Sequence, residues 1–94
     1  MKISVITVCY NSENTIEKTI KSVISQNYTD YEYLVIDGGS TDNTTNLINK
    51  YKKYINYYSS EKDDGIYDAI NKGIKKSTGE IICILHSNDI FFSN

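Results

Sequence analysis

The stretch EKDDGIYDAINKG, residues 61–73, sets Asp63 beside Asp64, follows them with Gly65 and places Asp68 about one helical turn later. Carboxylates crowded in this way repel one another unless something positive sits between them. A divalent cation held through oxygens is one answer. Charge-assisted hydrogen bonds from a ring N–H or a ribose diol are another. A nucleoside diphosphate alone would be repelled, so an acidic site that takes one implies a bridging cation, which would also stabilise a diphosphate leaving group. Helix capping accounts for the same residues: Asp63 or Asp64 can accept from the free N–H groups of a first turn, an effect of ~1 kcal/mol, and leave Asp68 in solvent. Composition does not choose between these readings.

Three other short segments carry polar groups of the same kind: Tyr10-Asn11, Asp37-Gly38, and His86 to Asp89. The elements that precede them explain why they belong together. Ile3 to Cys9 is a nearly continuous β-branched run, as in a strand buried on two faces of a parallel sheet. Ile16, Ile20, Val23 and Ile24 then recur at helical spacing, with Asn14 and Glu17 placed as N-cap and capping-box partner. A second strand spans Tyr33 to Ile36, and a helix capped by Ser40 or Asp42 would bury Leu47, Ile48 and Tyr51. A weaker third strand covers Ile55 to Ser59. Ile66, Ile70 and Ile74 mark a third helix that stops near Thr78-Gly79, with Lys75 and Lys76 in its last turn. Ile81 to Leu85 forms the fourth strand.

Strands alternating with helices predict an α/β fold, an open, mostly parallel Rossmann-like sheet with helices on both faces. Ligands of such sheets bind outside the carboxyl ends of the strands. The four polar segments each follow a strand and therefore share one rim.

Composition narrows the partners. The 94 residues suit one small domain, with 39% hydrophobic and 23% charged side chains. A net charge of -2 and scattered lysines give no basic stripe for a phosphate backbone, which argues against nucleic acid. The longest apolar run, Ile81 to Leu85, falls far short of the roughly 18 residues of a membrane span. The first residues show no signal-peptide pattern, so a cytoplasmic location is expected. Cys9 and Cys83 lie in strand-like runs without CxxC spacing, which favours buried reduced thiols.

ISVITVCYN, SVISQN, YLVIDGGSTDNT, EKDDGIYDAINKG and STGEIICILHSND, in this order from Ile3 to about Phe92, resemble the N-terminal half of the family 2 glycosyltransferases, which carry the GT-A fold. The resemblance implies transfer of a sugar, with inversion, from a nucleotide-diphosphate donor such as a UDP-sugar to a glycan or lipid-linked acceptor, as in polysaccharide biosynthesis. It assigns Tyr10, Asp37 and Gly38, with Val8 and Asn11 beside them, to the base and ribose pocket. The DxGxxDAxNxG-like segment adds Asp63, Gly65, Asp68 and Asn71. Substituting Asp37 is then expected to remove nucleotide binding and leave the fold intact. The family's Asp-x-Asp signature aligns with His86-Ser87-Asn88, followed by Asp89; this assigns a divalent cation, Mn²⁺ or Mg²⁺, to Asp89 and Asn88. The family's acceptor pocket and general base belong to a later half, so these residues read as a truncated product or fragment whose sheet is bare near the fourth strand, a flank open to self-association.

Rival readings lack their residues. A nicotinamide-binding fold needs GxGxxG after the first strand, and VCYNSENT has no glycine. A receiver-type domain wants an acidic pair where Cys9-Tyr10-Asn11 stands. A non-catalytic nucleotide-sugar-binding or assembly module, keeping the nucleotide half of a transferase, is the remaining alternative.

Overall fold

The computed structural model describes residues 1–27 and 29–87. Four strands, β1 (Ile3–Cys9), β2 (Tyr31–Asp37), β3 (Tyr57–Ser60) and β4 (Ile81–His86), form one sheet in the order β3-β2-β1-β4. Every pairing is parallel, with Ile6 opposite Leu34 on one side and Ile84 on the other. The chain steps outward from β1 to β3 and then returns to place β4 on the opposite side of β1. The strand order thus reverses at β1, the position where α/β sheets open a crevice.

Helices α1 (Ile16–Ile24) and α2 (Thr44–Asn49) cover one face and α3 (Ile66–Lys76) the other. Alternation along β1 serves the two faces separately. Val5 and Cys9 join Ile16, Ile20, Val23, Tyr33, Val35 and Ile48, whereas Ile6 and Val8 join Leu34, Ile36 and Ala69. The isoleucine periodicity of α1 therefore faces the core as its spacing requires.

The isoleucine stripe of α3 does so only in part, through Ile70, which packs against the second cluster. Ala69 and Gly73 are its buried residues, while Ile66 and Ile74 are exposed. A Cβ on Gly73 would stand 2.6 Å from Ile6 Cγ2, so the helix backbone rests almost directly on the sheet through this small-residue strip. The isoleucines are turned to one side of that contact. Lys76, on the other side, lies over the Tyr57 ring of β3.

Caps also differ from the expected ones. Thr15, not Asn14, is the N-cap of α1, and the carbonyl of Ser12 takes the N–H groups of Thr15 and Ile16. Glu17 instead reaches the residues just past the end of α2, accepting from Tyr51 Oη at 2.6 Å and pairing with Lys50 at 3.7 Å. Asn43, not Ser40 or Asp42, is the N-cap of α2, although Asp42 accepts the Thr44 N–H at 2.9 Å from the residue before it. β2 extends two residues earlier than expected and one later, and α3 ends at Lys76, before Thr78-Gly79.

Candidate functional site

A cleft of about 850 Å³ opens at the carboxyl end of the sheet. Val8, Tyr10, Asn11, Gly38, Asp63 and Gly65, six of the residues expected from sequence, line it. His86 and Ser87 close it from the end of β4. Tyr10, 59% exposed, offers an aromatic face at its mouth.

Asp37 is not among the lining residues. It is fully buried beneath them, and its carboxylate takes five donors. Oδ2 accepts from the Gly39 and Ser40 N–H groups at 3.2 and 2.8 Å and from Ser60 Oγ at 2.7 Å. Oδ1 accepts from Ser40 Oγ at 2.5 Å and from the Cys9 thiol at 3.4 Å. Burial, and after it the charge of Asp37, pushes the Cys9 thiol far up, so Cys9 stays a protonated donor to this carboxylate. A side chain with this many internal partners anchors the loop after β2. Its removal would strip five donors at once, which corrects the expectation that the fold is indifferent to Asp37.

Asp63 is placed differently. Its Oδ1 accepts from the Gly65 N–H at 3.1 Å, and its carboxylate lies against Gly38, where an added Cβ would come within 3.0 Å of Oδ2. The absence of a side chain at Gly38 is what admits Asp63 to this place. Gly65, at φ +114°, supplies the turn into α3. Among the described residues Asp63 is the only carboxylate that lines the cleft, and Lys62 beside it brings a positive charge.

Asp68 and Asn71 do not reach the cleft. Asp68 accepts the Asp64 N–H at 3.0 Å and pairs with Lys72 at 3.8 Å, a capping role at the start of α3. Asn71 is exposed, two residues from both Ala69 and Gly73 and so on the helix face turned away from the sheet. Asp63 thus goes to the cleft and Asp68 to the cap.

Several lining residues were not assigned to the site from the sequence. Asn14 and Thr15 arrive with the start of α1, and Gly39 and Thr41 with the loop that Asp37 holds. The rule that points to strand ends reaches only the first residues of each loop. Ser12 Oγ meets Ser87 Oγ at 2.6 Å, and Thr19 Oγ1 donates to the Ser87 carbonyl, so the end of β4 is tied to α1. That link joins residues 75 and 68 positions apart and has no local trace.

Among the described residues no three His, Cys, Asp or Glu side chains stand close enough to hold a metal ion. These residues do not by themselves make the cation site that the resemblance implies. Its assigned ligands, Asn88 and Asp89, lie outside the described residues.

The sequence profile of Glycosyl transferase family 2 matches residues 4–94. An uncharacterized glycosyltransferase of Mycobacterium tuberculosis is 40% identical over 90 residues, covering 95% of this chain and 34% of the relative. The poly-beta-1,6-N-acetyl-D-glucosamine synthase of Staphylococcus epidermidis is 33% identical over 94% of this chain and 22% of its own length. The chain therefore spans about a third or less of these relatives. Residues 1–349 of TarS from S. aureus, solved in complex with UDP-GlcNAc, superpose with a TM-score of 0.85 at 31% identity, over 94% of this chain and 27% of that one. A Pyrobaculum calidifontis mannosyltransferase, 24% identical with a TM-score of 0.87 over 97% of this chain and 28% of its own, shares the fold. The parallel sheet with helices on both faces is that of the GT-A glycosyltransferases, and the chain belongs to glycosyltransferase family 2.

Proposed function

We propose that the cleft binds the nucleoside diphosphate of a sugar donor, a UDP-sugar, and that the chain serves sugar transfer to a glycan or lipid-linked acceptor hydroxyl with inversion. The observation that carries this reading is the placement of Asp63 on Gly38, in one cleft with Tyr10, which follows β1 at the strand-order reversal. A carboxylate seated there can accept from a base N–H or a ribose hydroxyl, while Tyr10 offers a stacking face and Lys62 a charge for the diphosphate. The likeness to TarS, whose structure was solved with UDP-GlcNAc, supports UDP as the carrier.

In this reading Val8, Gly38 and Gly65 shape the pocket, and Asp37 contributes by holding the wall beneath it. Asn88 and Asp89 are the assigned partners of a divalent cation. Free Cys9 and Cys83 suit a reducing, cytoplasmic setting. The edge that β4 forms among the described residues is assigned to pairing with a second copy of the chain.

Isothermal titration with UDP tests the assignment. Saturable binding is expected, and Asp63→Asn should weaken it at least tenfold, about the worth of a hydrogen bond to a charged group. An unchanged affinity would remove Asp63 from the site. Failure of the parent chain to bind any of a panel of nucleoside diphosphates would remove the reading altogether.

A further inference from the structure

Asn11 follows β1 and lines the cleft, yet its side-chain carbonyl faces the protein. Oδ1 accepts the Thr41 N–H at 2.8 Å and the Asp42 N–H at 3.3 Å. Two N–H donors on one atom fix the orientation of the amide, because the flipped form would set donor against donor. Its backbone N–H donates to Ser40 Oγ at 2.8 Å, and Ser40 Oγ in turn donates to Asp37. Asn11 sits at φ +46°, the only residue other than glycine with positive φ among those described. Asparagine tolerates this left-handed conformation better than most side chains.

These contacts converge on the loop that supplies Gly38, Gly39 and Thr41 to the cleft wall. Asp37 holds that loop from below, through Gly39 and Ser40. Asn11 holds its other end across the strand gap, at Thr41 and Asp42. Asp42 also accepts from the Thr44 and Glu13 N–H groups, so the Asn11 clamp continues into the start of α2. Between the two clamps the wall has little freedom.

We propose that Asn11 is a positioning residue of the cleft: its carbonyl pins the Ser40–Asp42 turn and so sets the wall against which the nucleotide is held. This rests on the reading of the cleft as the donor site. It also reassigns Asn11, which the motif resemblance would place in contact with the ligand.

Two substitutions separate the roles. Asn11→Gly keeps the positive φ and removes the acceptor; Asn11→Asp keeps an acceptor and the tolerance of positive φ but removes the amide donor that a direct ligand contact would use. In the 94-residue chain, hydrogen exchange at the Thr41 and Asp42 amides and the affinity for UDP are measured together. Salt of about 0.5 M screens the charge that Asn11→Asp adds.

Asn11→Gly should speed exchange at both amides and weaken UDP about tenfold, the effect of about 1.4 kcal/mol. Asn11→Asp should restore slow exchange and bring affinity back to within about threefold of the parent. Equal loss of affinity in the two variants would overturn the proposal in favour of a direct contact through the amide nitrogen. Full UDP affinity in Asn11→Gly with fast-exchanging amides would show that the turn does not set the wall, and unchanged exchange would show that there is no clamp. If the parent chain binds no nucleoside diphosphate, the donor-site reading fails on its own, and the amide exchange still decides whether Asn11 holds the turn.

Discussion

Glu32 shows how a single carboxylate in this chain can be structural. Its Oε2 accepts from Ser4 Oγ and from the Thr78 N–H, each at 2.6 Å, and Lys2 lies 3.6 Å from Oε1. Burial alone would raise its pKa; the Ser4 and Thr78 donors and the Lys2 charge outweigh it and hold the carboxyl below the usual 4.5. A depressed folded value means that the ionised form stabilises the fold above the unfolded pKa and that this contribution is lost as pH falls through the folded one. Glu32→Gln should therefore be less stable than the parent at about pH 7, with the gap closing toward about pH 3. Urea unfolding at the two pH values checks this, and a gap independent of pH would discard it. Nothing in the sequence distinguished Glu32 from other surface acids, because Ser4 and Thr78 reach it only through the sheet and the loop before β4. Asp37 and Asp63 were legible as important, from motif and strand-end position. Their division into a buried anchor and a cleft carboxylate was not, because it depends on the space left by Gly38.

Among the elements, the strands were the most legible, since runs such as ISVITVC and IICIL have one stable home in a parallel sheet. The helix α1 followed its period. α3 departed from its own, because a strip of Ala69 and Gly73 lets the backbone approach more closely than a row of isoleucines would. Gly73→Ala tests this contact. Alanine gains about 1 kcal/mol of helix propensity over glycine, whereas forcing a methyl to within 2.6 Å of Ile6 Cγ2 costs about 1–3 kcal/mol. Ile6 is fully buried and also hemmed by its strand neighbours, so the steric cost should prevail by about 1 kcal/mol in denaturant unfolding. A stabilised variant would mean that the helix can lift off the sheet without loss.

For the molecule as a whole, the radius of gyration of 12.1 Å matches the about 12 Å of a compact chain of this length. The exposure of Ile82 at 39% and Ile84 at 37% is therefore a property of one flank, not of a loosened fold. Among the described residues β4 pairs with β1 alone, so an apolar strand of interior composition stands at the edge of the described sheet. The sequence made this legible through IICIL and the resemblance to longer chains. If the flank pairs with a second copy, light scattering should report a mass that rises with concentration. Ile82→Lys and Ile84→Lys should return the chain to a single-copy mass with little change in its unfolding. A parent that stays at the mass of one chain at high concentration would end the self-association reading.

Because all four strands point the same way, the chain re-enters the sheet at the rim opposite the cleft. The turns there include exposed Asn27 and Asp30 before β2, Asn56 before β3, and Thr78 before β4. A dye, a surface tether or an inserted peptide at Asn27 would hang from this idle rim. Immobilised by that handle, the chain would present its opposite end to the solution.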